Sequence, residues 1–221
     1  MSAYFVTATG TDIGKTFVTA GLIRAARLGG LKTHALKPIV SGIDDAAPAG
    51  SDPAVLLDAL GEPMTPETLA RISPWRFAAP MSPDMAAARE ERFIPYNELL
   101  DTCRDAVNAA RDGLLFIEGV GGVMVPLDAR RTVLDWMADL RLPLILVAGS
   151  YLGTISHTLT AMEVVARARL KIAALVVNET EGATIPLDET LATLRRFAGV
   201  PIATIPRGGD MAAFAKLAAL L

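Results

Sequence analysis

The stretch Gly10-Thr11-Asp12-Ile13-Gly14-Lys15-Thr16 concentrates more chemical potential than any other in the sequence. Glycines, a lysine and a hydroxyl at this spacing suit a phosphate chain. Backbone N–H groups can converge on an anion only where side chains do not obstruct them, which glycine allows. A helix opening at the end of the stretch adds the partial positive charge of its N-terminus. In such a loop Lys15 reaches the β- and γ-phosphates of a nucleotide, and Thr16 offers its hydroxyl to Mg²⁺. The G-x-x-x-x-G-K-[ST] pattern is met imperfectly, because Thr9 stands where glycine is asked for and glycine follows at position 10. The intact Gly14-Lys15-Thr16 between an apolar run and a helical pattern outweighs that departure, and nucleotide binding is the expectation.

Two further segments supply charge. Lys37, in Lys37-Pro38-Ile39-Val40-Ser41-Gly42, closes a short apolar run. Held by a rigid proline at the end of a strand, it suits a second cation aimed at a transferring phosphoryl group, where electrostatic stabilisation is the main demand. Glu118 ends the apolar run Leu114-Leu115-Phe116-Ile117 and precedes Gly119-Val120-Gly121-Gly122. A carboxylate at the end of so apolar a strand is costly without a partner, and Mg²⁺ commonly takes one or two carboxylates together with phosphates. Asp52, in Gly50-Ser51-Asp52-Pro53, reads by itself as a helix N-cap ahead of a proline at the first helical position. Asp44 and Asp45 read as solvated loop charges.

These residues need a scaffold that gathers them at one edge. Short, nearly continuous apolar runs (3–7, 33–37, 114–118, 144–148, 172–178 and 201–205) alternate with helical patterns such as 15–28, which stops at Gly29-Gly30, and 154–169. Uninterrupted apolar runs are how strands read when helices cover both faces of a parallel sheet. The expectation is one α/β domain over residues 1–221: a doubly wound, mostly parallel sheet with helices on both faces. Ligands of such sheets collect beyond the carboxyl ends of the strands, where the glycine-rich and charged segments fall. The proline-punctuated stretch 41–93 shows no clear strand and reads as helical excursions and loops over one side of the site. Residues 211–221 read as a terminal helix packed on the core.

The totals exclude other classes. The chain has 221 residues, 52% of them hydrophobic and 20% charged, with a formal net charge of −3. This composition fits a globular protein with a sizeable core. Lys and Arg are spread along the chain without a basic face, so no nucleic-acid partner is expected. No apolar run is long enough to span a bilayer and the first residues do not read as a signal peptide, so a cytoplasmic location without membrane partners is expected. Cys103 falls at helical spacing with Leu99, Leu100 and Val107 and reads as a small buried apolar residue. His34 and His157 lack metal-ligand spacing.

Together, Gly10 to Thr16, Lys37 to Gly42, Ser51-Asp52, Ala79-Pro80-Met81-Ser82-Pro83, Glu118 to Gly122, Leu152-Gly153-Thr154-Ile155-Ser156-His157 and Asn178 resemble the dethiobiotin synthetase family over most of the chain. The resemblance implies a P-loop fold and an ATP- and Mg²⁺-dependent ligase. It would join CO₂ to 7,8-diaminopelargonate through a carbamate and a carbamic–phosphoric anhydride, giving dethiobiotin, ADP and phosphate. It also implies roles by position. Lys37, Lys15 and Thr11 would be catalytic, and Thr16, Asp52 and Glu118 would surround the metal, which turns Asp52 from cap to ligand. The nucleotide would meet Asp12, Ile13, Gly14, Lys15, Thr16 and Phe17, then Gly119, Val120 and Gly121. At the base it would meet Asn178, Glu179, Pro206, Arg207 and Gly208. Thr11 and Ser41 would contact the diamine or carbamate. Gly153, Thr154 and Ile155 would receive the distal carboxylate in the site of a neighbouring subunit, so a homodimer is implied. For His157 itself, packing and one hydrogen bond is the reading.

The sequence departs from frequent family residues at Ala8, Asp12, Asp84 and Ser156. Two other readings compete. A cobyrinate-amidating ligase would need a glutamine-hydrolysing domain with a catalytic cysteine. A nucleotide-switch ATPase of the partition type would need a lysine early in the phosphate loop, and positions 8–14 contain none.

Overall fold

The computed structural model describes residues 2–221. The first half runs β1 (Ser2–Ala8), α1 (Lys15–Leu28), β2 (Thr33–Leu36), β3 (Ile39–Ser41), α2 (Asp52–Leu60), α3 (Pro66–Ile72), β4 (Trp75–Phe77), α4 (Pro83–Arg89) and α5 (Tyr96–Ala109). The second half runs β5 (Leu114–Glu118), α6 (Val133–Leu140), β6 (Leu144–Ala148), α7 (Thr154–Arg167), β7 (Ile172–Asn178), α8 (Leu187–Phe197), β8 (Ile202–Ile205) and α9 (Met211–Ala218).

One six-stranded sheet has the order β2-β5-β1-β6-β7-β8, with every pairing parallel. Period-two alternation sorts its side chains onto two faces. Phe5, Leu115, Ile117, Leu146 and Val177 face a core shared with α5, α6, α7 and α8. Tyr4, Val6, Phe116, Ile145 and Val176 face the opposite core, built with α1, α2 and α9. Burial on both faces is why the runs are continuously apolar, and the doubly wound sheet expected from them is the one observed. The last helix packs as expected: a Cβ on Gly21 of α1 would lie 2.1 Å from the Phe214 ring of α9, so the missing side chain sets how close these helices come.

Strand order sets the position of Lys37, because β5 lies between β1 and β2. The register pairs Leu36 with Ile117 and Val6 with Glu118. Lys37 therefore emerges next to Glu118, one strand away from the loop, and reaches the site across that carboxylate.

The stretch 41–93 departs from its reading in one respect. Ile39–Ser41 and Trp75–Phe77 form a separate two-stranded parallel sheet. Strands this short carry no alternation signal, and the pairing depends on residues far apart in sequence. The helical excursions are present as α2, α3 and α4, entered through Ser51-Asp52-Pro53, Thr65-Pro66 and Ser82-Pro83. Asp45 is an exposed loop charge as read, and Arg76 binds it through Nε at 2.7 Å and Nη2 at 2.8 Å. Among the described residues no helix is long and apolar enough to cross a membrane.

Candidate active site

The phosphate loop leaves the end of β1 at the centre of the sheet. The Thr9 N–H donates to the Val147 carbonyl of β6 at 3.0 Å, and the Val123 N–H to the Ala8 carbonyl at 3.1 Å, so neighbours on both sides fix its start. At its far end Gly14 caps α1 with φ 94° and ψ 28°. A side chain there would be strained by this left-handed backbone, and its Cβ would also lie 2.3 Å from Asn178 Nδ2. That amide donates to the Ile13 carbonyl at 3.0 Å, which ties the end of β7 to the loop. The glycine segment after β5 lies flat against the other side: a Cβ on Gly122 would stand 3.2 Å from the Gly10 nitrogen.

Charged groups converge beside this loop. The Glu118 carboxylate is fully buried, and its Oε1 accepts hydrogen bonds from the Thr16 hydroxyl at 2.6 Å and from Lys37 Nζ at 2.7 Å. Lys37, only 2% exposed, also donates to the Gly119 carbonyl at 2.8 Å and sits 3.0 Å from Asp52 Oδ2. Its backbone is clamped as well. The Lys37 N–H donates to the Ile72 carbonyl at 2.9 Å, and the buried Ser73 hydroxyl to the Lys37 carbonyl at 2.7 Å. Lys15, buried from the first turn of α1, points back so that Nζ donates to the Gly10 carbonyl at 3.2 Å.

Magnitudes decide the charge state of this cluster. Burial pulls the Lys37 amine down, yet Glu118 and Asp52 outweigh it and hold the ammonium above the usual lysine range. A contact pair like Lys37–Glu118 gains on the order of 5 kcal/mol at an effective dielectric of about 20. Desolvation costs several kcal/mol per ion, and the half-exposed Asp52 adds a smaller, screened gain. Asp52 responds in kind: burial would raise its carboxyl, but Lys37 keeps it below the ordinary aspartate value. Lys15 has no such partner. Burial first, and then repulsion from Lys37, lower its amine to about 8.

This predicts a pH dependence with a definite sign. Below pH 8 the Lys15 amine is charged, and above it becomes neutral, whereas a bound phosphate favours the charged form. Affinity for ADP is expected to be flat from pH 7 to 8 and then to fall up to about tenfold per pH unit. Above pH 8, binding takes up a proton. Calorimetric titration between pH 7 and 9.5, in buffers of different ionisation enthalpy, checks both. Lys15→Arg is expected to flatten the profile, since a guanidinium stays charged throughout.

A cavity of about 470 Å³ opens over these groups, within the range of small-molecule sites. It brings together Thr11, Asp12, Gly14, Lys15, Thr16, Lys37, Ser41, Asp52, Val120 and Gly121. Glu118 and Gly119 are buried and do not line it. Val40, Gly42, Gly50 and Ser51 also line it. They were not singled out as site residues, although they flank Ser41 and Asp52 in sequence. Asp52 is not the helix cap that its place before Pro53 suggested. Ser51 caps α2, which leaves the Asp52 carboxylate free to turn toward Lys37.

The remaining candidates lie outside this cavity. Asn178 abuts the loop at Gly14, and the exposed Phe17 packs edge-on against Phe214, 5.6 Å between centroids, beneath Gly209. The Arg207 N–H donates to Glu179 Oε2 at 2.8 Å, which binds Pro206-Arg207-Gly208 to the end of β7. A contiguous rim thus runs from the loop to these residues. Gly153, Thr154 and Ile155 open α7 beyond β6, where the buried Thr154 hydroxyl donates to the Gly149 carbonyl at 2.7 Å. They do not reach the cavity of their own chain. His157 is exposed, lies against the Tyr151 ring with 5.7 Å between centroids, and makes one hydrogen bond, 2.8 Å, to the Tyr151 hydroxyl. Burial pushes the Cys103 thiol up to about 12, which leaves no nucleophilic thiolate for an amidating mechanism.

The donor set fits Mg²⁺. Thr16, Asp52 and Glu118 offer hard oxygen atoms, as that ion requires. Glu118 Oε2 is buried without any hydrogen-bond partner, and an unsatisfied buried carboxylate oxygen beside a phosphate loop calls for a cation.

A family model described as an AAA domain matches residues 2–213. The chain is 48% identical over 217 residues to an ATP-dependent dethiobiotin synthetase of Methylobacterium nodulans, covering 96% of each chain. It is 49% identical over 200 residues to that of Acidiphilium cryptum, covering 90% of this chain and 89% of the other. Among solved structures, the cell division ATPase MinD of Pyrococcus furiosus superposes with a TM-score of 0.54 at 18% identity, covering 100% of this chain and 98% of that one. At that identity the likeness is one of fold.

Proposed function

We propose, from the premise that this chain belongs to the dethiobiotin synthetase family, a specific division of labour in the site. The protein is an ATP-dependent ligase that forms C–N bonds, closing 7,8-diaminopelargonate and CO₂ into dethiobiotin with release of ADP and phosphate. The observation that carries the residue roles is the meeting of Lys15, Lys37, Thr16, Asp52 and Glu118 around one cavity.

The reaction proceeds in three stages. One amine of the diamine takes up CO₂ and loses a proton, giving a carbamate. A carbamate oxygen then attacks the γ-phosphorus of ATP, the bond to the β-bridging oxygen breaks, and ADP leaves. The second amine attacks the carbon of the resulting anhydride, phosphate departs, and loss of a proton completes the cyclic urea. Lys15 and the loop N–H groups hold the β- and γ-phosphates. Lys37 lies across the cavity and neutralises charge between carbamate and phosphoryl group, the main task in such a transfer. Thr11 and Ser41 orient the diamine end. Mg²⁺, held by Thr16, Asp52 and Glu118, would supply further charge neutralisation on the phosphates. The amide of Asn178 reads the adenine edge, with Glu179, Phe17 and the 206–208 segment around the base.

The opening of α7 at Gly153, Thr154 and Ile155 serves the distal carboxylate of substrate bound to a second copy. The Thr154 N–H donates to the Tyr151 carbonyl at 3.0 Å, but the other N–H groups of a helix's first turn suit an anion, and the segment does not line the cavity of its own chain. This makes the working unit a homodimer of single-domain protomers, each spanning residues 1–221, in the cytoplasm.

A direct assay tests the reading. With ATP, Mg²⁺ and bicarbonate, phosphate release is expected only when 7,8-diaminopelargonate is added, together with a cyclic urea of the dethiobiotin mass. Release that ignores the diamine would remove the assignment.

A further inference from the structure

An ammonium carries three N–H donors, and Lys37 turns them toward the protein. Two make hydrogen bonds, to Glu118 Oε1 at 2.7 Å and the Gly119 carbonyl at 2.8 Å, and Asp52 Oδ2 stands 3.0 Å away as an ion-pair partner. A carbamate or phosphoryl oxygen must draw the ammonium away from these groups. Two of these acceptors belong to the carboxylates that also fit the metal. Glu118 Oε2 has no partner while Oε1 holds Lys37, but a monovalent and a divalent cation on the two oxygens of one buried carboxylate repel each other strongly, so a metal on one oxygen weakens the hold of the other on Lys37.

We infer that Lys37 is a resident competitor for the metal's carboxylates. Before the metal arrives, its ammonium neutralises Glu118 and Asp52 and keeps the buried carboxylate compatible with folding. Glu118 and Asp52 would then hold the divalent ion that comes with the nucleotide, and their grip on Lys37 would loosen. The freed ammonium then swings to the phosphoryl and carbamate oxygens, which accept the donors it has lost. Metal alone offers the displaced ammonium no new acceptors, so metal without nucleotide binds poorly. The competition therefore makes metal and nucleotide enter together, and arms Lys37 only when both are present. This inference rests on the reading of Thr16, Asp52 and Glu118 as the metal's residues.

Mn²⁺ is the probe, with unbound ion counted by electron paramagnetic resonance in the absence of nucleotide. Lys37→Met is expected to bind Mn²⁺ at least tenfold more tightly than the parent. Its melting temperature should rise on adding Mn²⁺, while that of the parent stays still. Adding Glu118→Gln to Lys37→Met is expected to abolish the gain. A folded Lys37→Met with unchanged Mn²⁺ affinity would overturn the inference; the metal reading survives if Asp52→Asn still weakens Mn·ADP binding. A gain that persists in the double variant would instead place the ion elsewhere and sink the metal reading. Should Lys37→Met fail to fold, the parent protein decides the matter through its ¹⁵N-labelled lysine ammonium resonances. The Lys37 signal is expected to move with Mg·ADP and to hold still with ADP in excess EDTA. An equal movement in both would show that phosphate, not metal, draws the ammonium away.

Discussion

Lys37→Ala is expected to lower turnover by about 10²–10³-fold while changing the dissociation constant for ATP by less than about tenfold. The loss follows from removing a cation that neutralises charge developing on the phosphoryl group, an effect of that size in comparable sites. Retention of ATP follows from the geometry, because the phosphate loop, Lys15 and the tie from Asn178 to the Ile13 carbonyl do not depend on residue 37. The substitution leaves Glu118 without its ammonium, so circular dichroism and a thermal melt must accompany the kinetics. Single-turnover phosphate release, compared with calorimetric ATP binding, separates the two quantities. Unchanged turnover would make Lys37 a structural counterion and nothing more.

Glu118→Gln is expected to damage both the fold and the reaction. Breaking a fully buried ion pair from one side commonly costs about 3–5 kcal/mol. Here the figure should lie near about 3 kcal/mol, since Lys37 keeps the Gly119 carbonyl and the half-exposed Asp52. For a chain of this length that corresponds to a melting temperature lower by roughly 6–12 °C. Turnover should fall by at least about 10²-fold as well, because the amide cannot replace a carboxylate in holding Mg²⁺ or a lysine at the phosphoryl group. Chemical denaturation, paired with phosphate release over a range of Mg²⁺, measures each part. A variant as stable as the parent would mean that water, not Glu118, solvates Lys37.

How much of this was legible in the sequence differs by scale. The six strands of the main sheet declared themselves through continuous apolar runs, because both faces are buried, and the glycine–lysine–threonine stretch marked the loop unaided. Glu118 was legible for the same reason: a carboxylate ending so apolar a run has few affordable environments. Asp52 was not, because capping and ligation ask for the same residue before a proline, and only the three-dimensional turn at Ser51 separates them. The β3–β4 pairing was hidden because three-residue strands leave no periodic trace. The insertion of β5 between β1 and β2 was hidden because strand order is a property of connections, which local pattern does not record.

The small β3–β4 sheet stands apart from the six-stranded one, and with the neighbouring start of α2 it supplies Ser41, Gly42 and Asp52 to the cavity wall. The glycine-rich loop hangs from different strands. Recutting that detachable panel at Ser41 and Gly42 is therefore expected to reshape one wall of the cavity while the loop stays bolted to its own frame.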